Sequence, residues 1–369
     1  MDFDIQSHAL MRDKAHCISL PQKIREELGV LEGQFMQLRG REEVVLQIAN
    51  AILGPHQEVA YVSPETFERI KGDNIEFKIL EVTLGCDPEF FIMWGDRHII
   101  ASNYLPFIGQ IGSDGGLGEL RPMYGRHEGQ VVDNLRTLIE HIPASLKRSK
   151  WLKGFPEDGK AFSYQGHSYF LGTPAGFHVH LGIPPEILNT RTDFNRAAIN
   201  HIVRCLDWYV SVPTVPLEVC HDRRLADGQY GQPGDYRPSN VTLEYRTPGG
   251  FYLRTPALAE GLMGMALLVT ENVVSRMKTA SNGFVNLHKL TEADLQEILP
   301  IPPPSKVKDI LKHRNTAVAA EQMPAIYEQM ERLPTFKKHQ EAIDRFFRVV
   351  KDRSVPTPDL LLNWKEHKA

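Results

Sequence analysis

Four short segments each place two polar, mostly charged residues two positions apart inside a strand-like run. They are Asp87/Glu89 in LGCDPEFFIM, Glu119/Arg121 in LGELRP, His178/His180 in GFHVHLGI and Glu244/Arg246 in VTLEYRT. Side chains alternate sides along a strand, so both members of each pair must point to one face of a sheet. The neighbours Phe90, Leu120, Val179 and Tyr245 are apolar and fall on the other face, where they can meet a core. If the four strands share one sheet, four carboxylates, two imidazoles and two guanidiniums converge on one surface. Carboxylates crowded in this way stay ionised only beside cations. The pattern therefore predicts a metal-and-phosphate site.

Asp87, Glu89, Glu119 and Glu244 supply hard oxygen donors suited to Mg²⁺, and His178 adds an imidazole, a mixture that also suits Mn²⁺. Arg121, Arg237 and Arg246 are forks that bind phosphate through two hydrogen bonds and keep their charge. Divalent cations flanked by arginines fit phosphoryl transfer from a nucleotide. The chain has no G-x-x-x-x-G-K-[ST] loop and no kinase signature set, so a nucleotide is expected on another scaffold. Each doublet alone has a plainer reading. Asp87-Pro88-Glu89 fits a turn at a strand edge. The histidines fit a structural pair or a zinc hydrolase, although no HExxH is present. The Glu/Arg pairs fit cross-strand ion pairs on a solvated face. Four same-face doublets, each flanked by Gly or Pro, favour the site.

Residues 1–75 form a first unit. It holds a strand at 16–20, a helix at 22–28 closed by Gly29, a hairpin at 34–38 and 44–48, and a strand–helix pair at 59–70 with Ser63 and Pro64 at the helix start. The main domain, 76–285, contains all four doublets and helices at 127–146, 192–209 and 256–280. Its strand signals are two-faced rather than continuously apolar. This predicts an α+β fold, a mostly antiparallel sheet with helices on one side. Residues 286–369, with the PIPPP run at 300–304 as a stiff linker, are expected to be a C-terminal helical region without evident chemistry.

The 42 basic and 46 acidic side chains give a net charge of −4, so no nucleic-acid partner is expected. The apolar stretch at 261–270 is too short to span a bilayer, and MDFDIQSHAL lacks the pattern of a signal peptide. Four scattered cysteines indicate neither a disulfide framework nor a zinc clip. A cytoplasmic protein without a membrane partner is expected.

GCDPEFFI, GFHVHLG and LEYRTPGG resemble, in order, three strands of the glutamine synthetase-like carboxylate–amine ligases. With DGGLGELRP at 114–122, Tyr230-Gly231 and GDYR at 234–237, the chain is similar to the phage-type COOH–NH2 ligases (amidoligases) over about residues 80–260. The resemblance implies ATP and Mg²⁺ (or Mn²⁺), a carboxylate substrate and an amine substrate. ATP would phosphorylate the carboxylate, and the amine would attack the acyl phosphate to give an amide. Asp87 and Glu89 would each serve one of two metals, and Glu119 the metal that meets the substrate carboxylate. His178 and Glu244 would join Asp87 at the metal beside the ATP phosphates. Arg237 and Arg246 would grip the transferring phosphoryl group, with Arg121 completing the catalytic set. His180, Asp114 and Tyr230 would face substrate, as would the loops at 103–113 and 221–237. The first strand carries Asp87 where glutamine synthetase carries Glu. The first unit resembles the AbrB/MazE-like swapped hairpins, which implies a homo-oligomer. Its 6 Lys/Arg against 8 Asp/Glu in residues 1–50 favour assembly over DNA binding. The competing readings are a catalytically silent phage structural or binding protein and a metal-dependent hydrolase using the same face.

Overall fold

In the computed structural model, which describes residues 4–50, 59–72, 75–148, 152–188, 193–218, 224, 231–239 and 242–365, the alternating runs of the first unit pair with one another. The strands are β1 (Asp4–Ser7), β2 (Cys17–Leu20), β3 (Phe35–Arg39), β4 (Glu43–Asn50), β5 (Val59–Val62) and β6 (Glu76–Leu80), in the order β1-β5-β2-β4-β3-β6. β3 and β4 form the expected antiparallel hairpin. The helix α1 (Gln22–Leu28) ends at Gly29 with φ 64°, a conformation glycine adopts without a Cβ clash. The helix α2 (Pro64–Ile70) starts where the Thr66 N–H donates to the Ser63 hydroxyl at 3.1 Å. All six strands pair with one another within the chain. The unit also runs past residue 75, its expected boundary. β6 pairs with β3 from Phe35↔Leu80 to Arg39↔Glu76, so its alternation completes the first sheet rather than opening the next domain.

The second sheet carries the doublets. Its strands are β7 (Thr83–Trp94), β8 (Arg97–Ile99), β9 (Ile111–Asp114), β10 (Leu117–Leu120) and β11 (Ser163–Gln165). After a separate hairpin of β12 (Tyr169–Phe170) and β13 (Thr173–Pro174) come β14 (Phe177–Gly182), β15 (Tyr236–Pro238) and β16 (Leu243–Tyr245). The order is β15-β16-β14-β7-β10-β9, with β8 and β11 also on β7, and every pairing is antiparallel. Phe90, Leu120, Phe177, Val179, Leu181 and Tyr245 are fully buried and join the core.

Helices cover that apolar face. They are α3 (Glu128–Ser145), α4 (Pro185–Leu188), α5 (Asp193–Leu206), α6 (Val212–Thr214) and α7 (Pro256–Ala280), with α3 and α7 against the sheet. The remainder are α8 (Glu292–Ile298), α9 (Pro304–Lys312), α10 (Thr316–Glu331), α11 (Phe336–Lys351) and α12 (Leu360–Asn363). By length and composition α7 alone among the described helices could cross a membrane. Here it is a core helix, enclosed by the sheet, α3, α5 and α11. Gly261 lets α11 come close, since a Cβ there would sit 2.3 Å from Phe346 Cβ. One hydrophobic core includes Leu84 of β7, Phe346 of α11 and Trp364 near the end of the chain. The C-terminal helices thus belong to the core of the sheet domain rather than to a separate region. The physical reason is that α7, apolar on all sides, needs a partner on the side away from the sheet. Ile301, inside the expected linker, is itself buried.

A buried ionic cluster joins α3, α7 and α11. His339 Nδ1 lies 2.8 Å from Glu128 Oε2, and Nε2 lies 3.4 Å from Glu271 Oε2. Burial disfavours the imidazolium, but the two carboxylates outweigh it and push the pKa up to about 9. A raised pKa stabilises the fold fully below the unfolded value near 6.5 and is lost as pH rises through about 9. Wild-type protein is therefore expected to exceed His339→Gln in urea-unfolding stability by about 2–3 kcal/mol at pH 6. That difference should shrink toward zero by about pH 10. A gap that is constant with pH would mean His339 is not held as a cation.

Candidate active site

Cross-strand register turns the four doublets into one surface. Residues directly opposite each other in an antiparallel pair point to the same face. Glu119 of β10 lies opposite Glu89 of β7, and His178 of β14 lies opposite Asp87 of β7. Glu244 of β16 lies opposite His180 of β14, and Arg237 of β15 lies opposite Glu244. These residues form one row across five strands, on the face away from α3 and α7. Arg121 and Arg246 extend it just past the ends of β10 and β16.

Asp87 sits between two imidazoles, with Oδ1 2.9 Å from His178 Nδ1 and Oδ2 3.0 Å from His180 Nε2. Burial opposes its charge, yet the histidines hold the carboxyl well below the usual carboxylate range. Burial likewise opposes a charge on His180, but Asp87 and Glu244 raise its pKa. Glu244 is buried and gripped by Arg237 Nε at 2.6 Å and Arg246 Nε at 3.3 Å. Glu119 is buried in an ion pair with Arg121, which also donates from Nη1 to the Gly109 carbonyl at 3.1 Å. Glu89, also buried, accepts the Gly176 N–H on Oε2 at 2.5 Å. Every carboxylate of the row thus has a cation or a hydrogen-bond donor against it, as crowding of this kind demands.

One donor atom from each of Asp87, His180 and Glu244 lies within 4.8 Å of the other two. Two carboxylates and an imidazole at that spacing fit a single Mg²⁺ or Mn²⁺. His178 was expected beside Asp87 and Glu244, and His180 toward substrate; His180 also stands with these two carboxylates. His180 stands directly across from Glu244, which brings it into the trio. His178 keeps Nδ1 toward Asp87, 3.7 Å from Glu244 Oε1, while Nε2 lies so near Gly176 that a Cβ there would be 2.2 Å away. Glu89 and Glu119 lie outside the trio as a facing acidic pair. Asp114 is exposed on β9, on the same face as the row, and supports the charge of Arg121, whose pKa burial lowers. Tyr230 and most of the 221–237 loop lie outside the described residues.

A cavity of about 790 Å³ opens on the row. Its lining includes Asp87, His180, Arg121 and the Ile108–Gln110 part of the loop expected to meet substrate. Its other wall comes from the first unit, a contribution not anticipated from the sequence. Tyr124 is the joint between the two. Its ring lies where a Gly85 Cβ would be, 2.7 Å away, and packs edge-on to Phe35 and His16 of the first unit with centroids 5.0 and 6.2 Å apart. A larger cavity of about 920 Å³ between the 102–111 loop and α3 contains none of the row's donors, so chemistry is assigned to the first cavity.

Among solved structures, the chain is similar to a bifunctional glutathione synthetase from Pasteurella multocida, with 12% identity, 74% of this chain and 56% of that chain covered, and a TM-score of 0.35. It is also similar to a novel glutamine synthase homolog, with 9% identity, 98% and 97% covered, and a TM-score of 0.37. The chain thus spans little more than half the length of the glutathione synthetase. None of the curated proteins matches it. The sequence pattern of one family, described as phage phiEco32-like COOH.NH2 ligase-type 2, matches residues 84–293, more than half of the chain and all four doublets. The chain belongs to the phage phiEco32-like COOH.NH2 ligase-type 2 family.

Proposed function

We propose that the protein joins a carboxylate to an amine with consumption of ATP, through an acyl phosphate. What supports this reading most is the continuous row of acids, imidazoles and guanidiniums across β10, β7, β14, β16 and β15, within the span that matches a carboxylate–amine ligase family. Asp87, His180 and Glu244 would hold a divalent cation, with Glu89, Glu119 and His178 beside it. When bound, that cation would neutralise phosphate charge. Arg237 and Arg246, now paired with Glu244, would turn their forks to the transferring phosphoryl group and take up its developing charge. Arg121, anchored by Glu119 and the Gly109 carbonyl, would orient the substrate carboxylate. In the first step the carboxylate oxygen bonds to the γ-phosphorus and ADP leaves. In the second the amine nitrogen bonds to the acyl carbon, phosphate leaves, and the nitrogen gives up a proton to solvent.

The test is ADP release from the full chain with ATP and Mg²⁺, across a panel of acids and amines. Release is expected only when an acid and an amine are both present, with the amide seen by mass spectrometry. Chelation by EDTA should lower the rate by more than about a hundredfold, and added Mg²⁺ should restore it. Cleavage of amides without ATP would point to the hydrolase instead and end this reading.

A further inference from the structure

We infer that the first unit builds half of the amine subsite, and that the amine is a dipolar, amino-acid-like molecule rather than ammonia. This rests on the ligase reading of the row and names the substrate class for it. The cavity that holds Asp87, His180 and Arg121 is lined on its far side by Arg12, Asp13, His16 and Glu65 of the first unit. Arg12 and Glu65 are exposed and make no ion pair among the described residues. Arg69, by contrast, lines the same cavity with its Nε already committed to Glu42 at 2.7 Å. The first unit therefore offers the guanidinium of Arg12 and the carboxylates of Glu65 and of Asp13, which is exposed and lines the same cavity, to whatever enters. His16 adds a third signal, because its Nδ1 is buried without a hydrogen-bond partner among the described residues. A buried polar atom left alone is costly and points to a group that completes it. Size points the same way, since about 790 Å³ is the room of a small-molecule site, far more than ammonia needs. An ammonium against Glu65 and a carboxylate against Arg12 would satisfy both charges, and the ammonium would give up a proton to solvent before its nitrogen attacks the acyl carbon.

The wall is not a loose neighbour. Tyr124 fills the niche above Gly85, close to His180, and reaches Phe35 and His16 with its edges, so the two units meet through the strand that carries Asp87. Arg12 and Glu65 sit on the solvent side of that contact, and their replacement should leave the fold intact.

The experiment is calorimetric titration of the full chain, without ATP, with each of the twenty standard amino acids. It is repeated with the decarboxylated and deaminated analogues of the best binder. An amino acid is expected to bind, and loss of either of its charges should weaken binding by at least about tenfold. Arg12→Gln should weaken the amino acid at least about tenfold but leave the decarboxylated amine unchanged, and Glu65→Gln should do the same for the ammonium end. In turnover, both variants should raise the KM for the amine with kcat and the KM for ATP within about twofold. Failure of every amino acid to bind, or equal binding by wild type and both variants, overturns the inference. If binding behaves as expected but no ADP forms with any acid, the subsite stands and the ligase reading falls. If an acid and an amine release ADP while the variants are silent, the reverse holds.

Discussion

Glu244→Gln is expected to lower ATP-dependent amide formation by about a hundred- to a thousandfold while the protein stays folded. The substitution keeps the shape of a buried side chain and removes its charge. Three functions of that charge disappear together. The trio with Asp87 and His180 loses one anionic donor, so a divalent cation is held more weakly. Arg237 and Arg246 lose the carboxylate that orients them, at 2.6 and 3.3 Å. His180, raised partly by Glu244, loses part of the reason for its charge. The fold should tolerate the change because the released cations can reach water. The Arg237 side chain is 65% exposed and that of Arg246 21%. Circular dichroism and the melting temperature separate lost chemistry from lost structure, and Mg²⁺ titration of the melting temperature should show a weaker response than in wild type. Turnover within about tenfold of wild type would remove Glu244 from the site.

The placement of the row was legible because a strand has a period of two: once Asp87 and Glu89 are on one β-run, their common face follows, and Phe90 marks the other. Helix ends were equally local, as Gly29, Ser63 and Pro64 show. What stayed hidden depends on register between distant segments. How His178 and His180 stand toward Asp87 and Glu244 is decided by the pairing of β14 with β7 and β16, and no pattern inside GFHVHLGI encodes it. The second wall of the cavity rests on Tyr124 meeting Phe35 and His16, residues roughly a hundred positions away with no periodic signal. The C-terminal helices were a different kind of miss, since the signal was present. A 25-residue helix apolar around its whole circumference must be covered on every side, and α11 supplies the cover that the sheet cannot. The proline run at 300–304 looked like a linker because proline breaks helices, yet Ile301 within it is anchored in the core.

The structural counterpart of the Glu244 experiment lies behind β16, where Arg224→Met should cost about 3–5 kcal/mol of unfolding free energy. Arg224 is fully buried, and its Nη1 meets Glu218 Oε2 at 2.5 Å while Glu218 is also shut off from solvent. Its Nε donates to the Gly231 carbonyl at 3.1 Å and its Nη2 to the Thr247 carbonyl at 3.2 Å. Thr247 in turn donates to Asp207 at 3.1 Å, and the Tyr245 hydroxyl donates to the same carboxylate at 2.8 Å. Burial pushes the Asp207 pKa up to about 7, a sign of how little water reaches this layer. Tyr245 stands between Glu244 and Arg246 in the chain, so the network braces from behind the strand whose front carries both. Methionine fills much of the arginine's volume but takes the Arg224 partner away from the buried Glu218 carboxylate. A loss of that size is a large fraction of the stability of an ordinary domain, about 5–15 kcal/mol. The double variant Arg224→Met/Glu218→Leu removes the buried carboxylate as well and should recover most of the loss, because a buried ion pair replaced whole is often neutral. Urea unfolding of the two variants separates the alternatives. If the single variant lies within about 1 kcal/mol of wild type, the Arg224–Glu218 pair is not what holds the brace. If the double variant is as unstable as the single, the two carbonyl contacts rather than the ion pair hold the back of β16 in place.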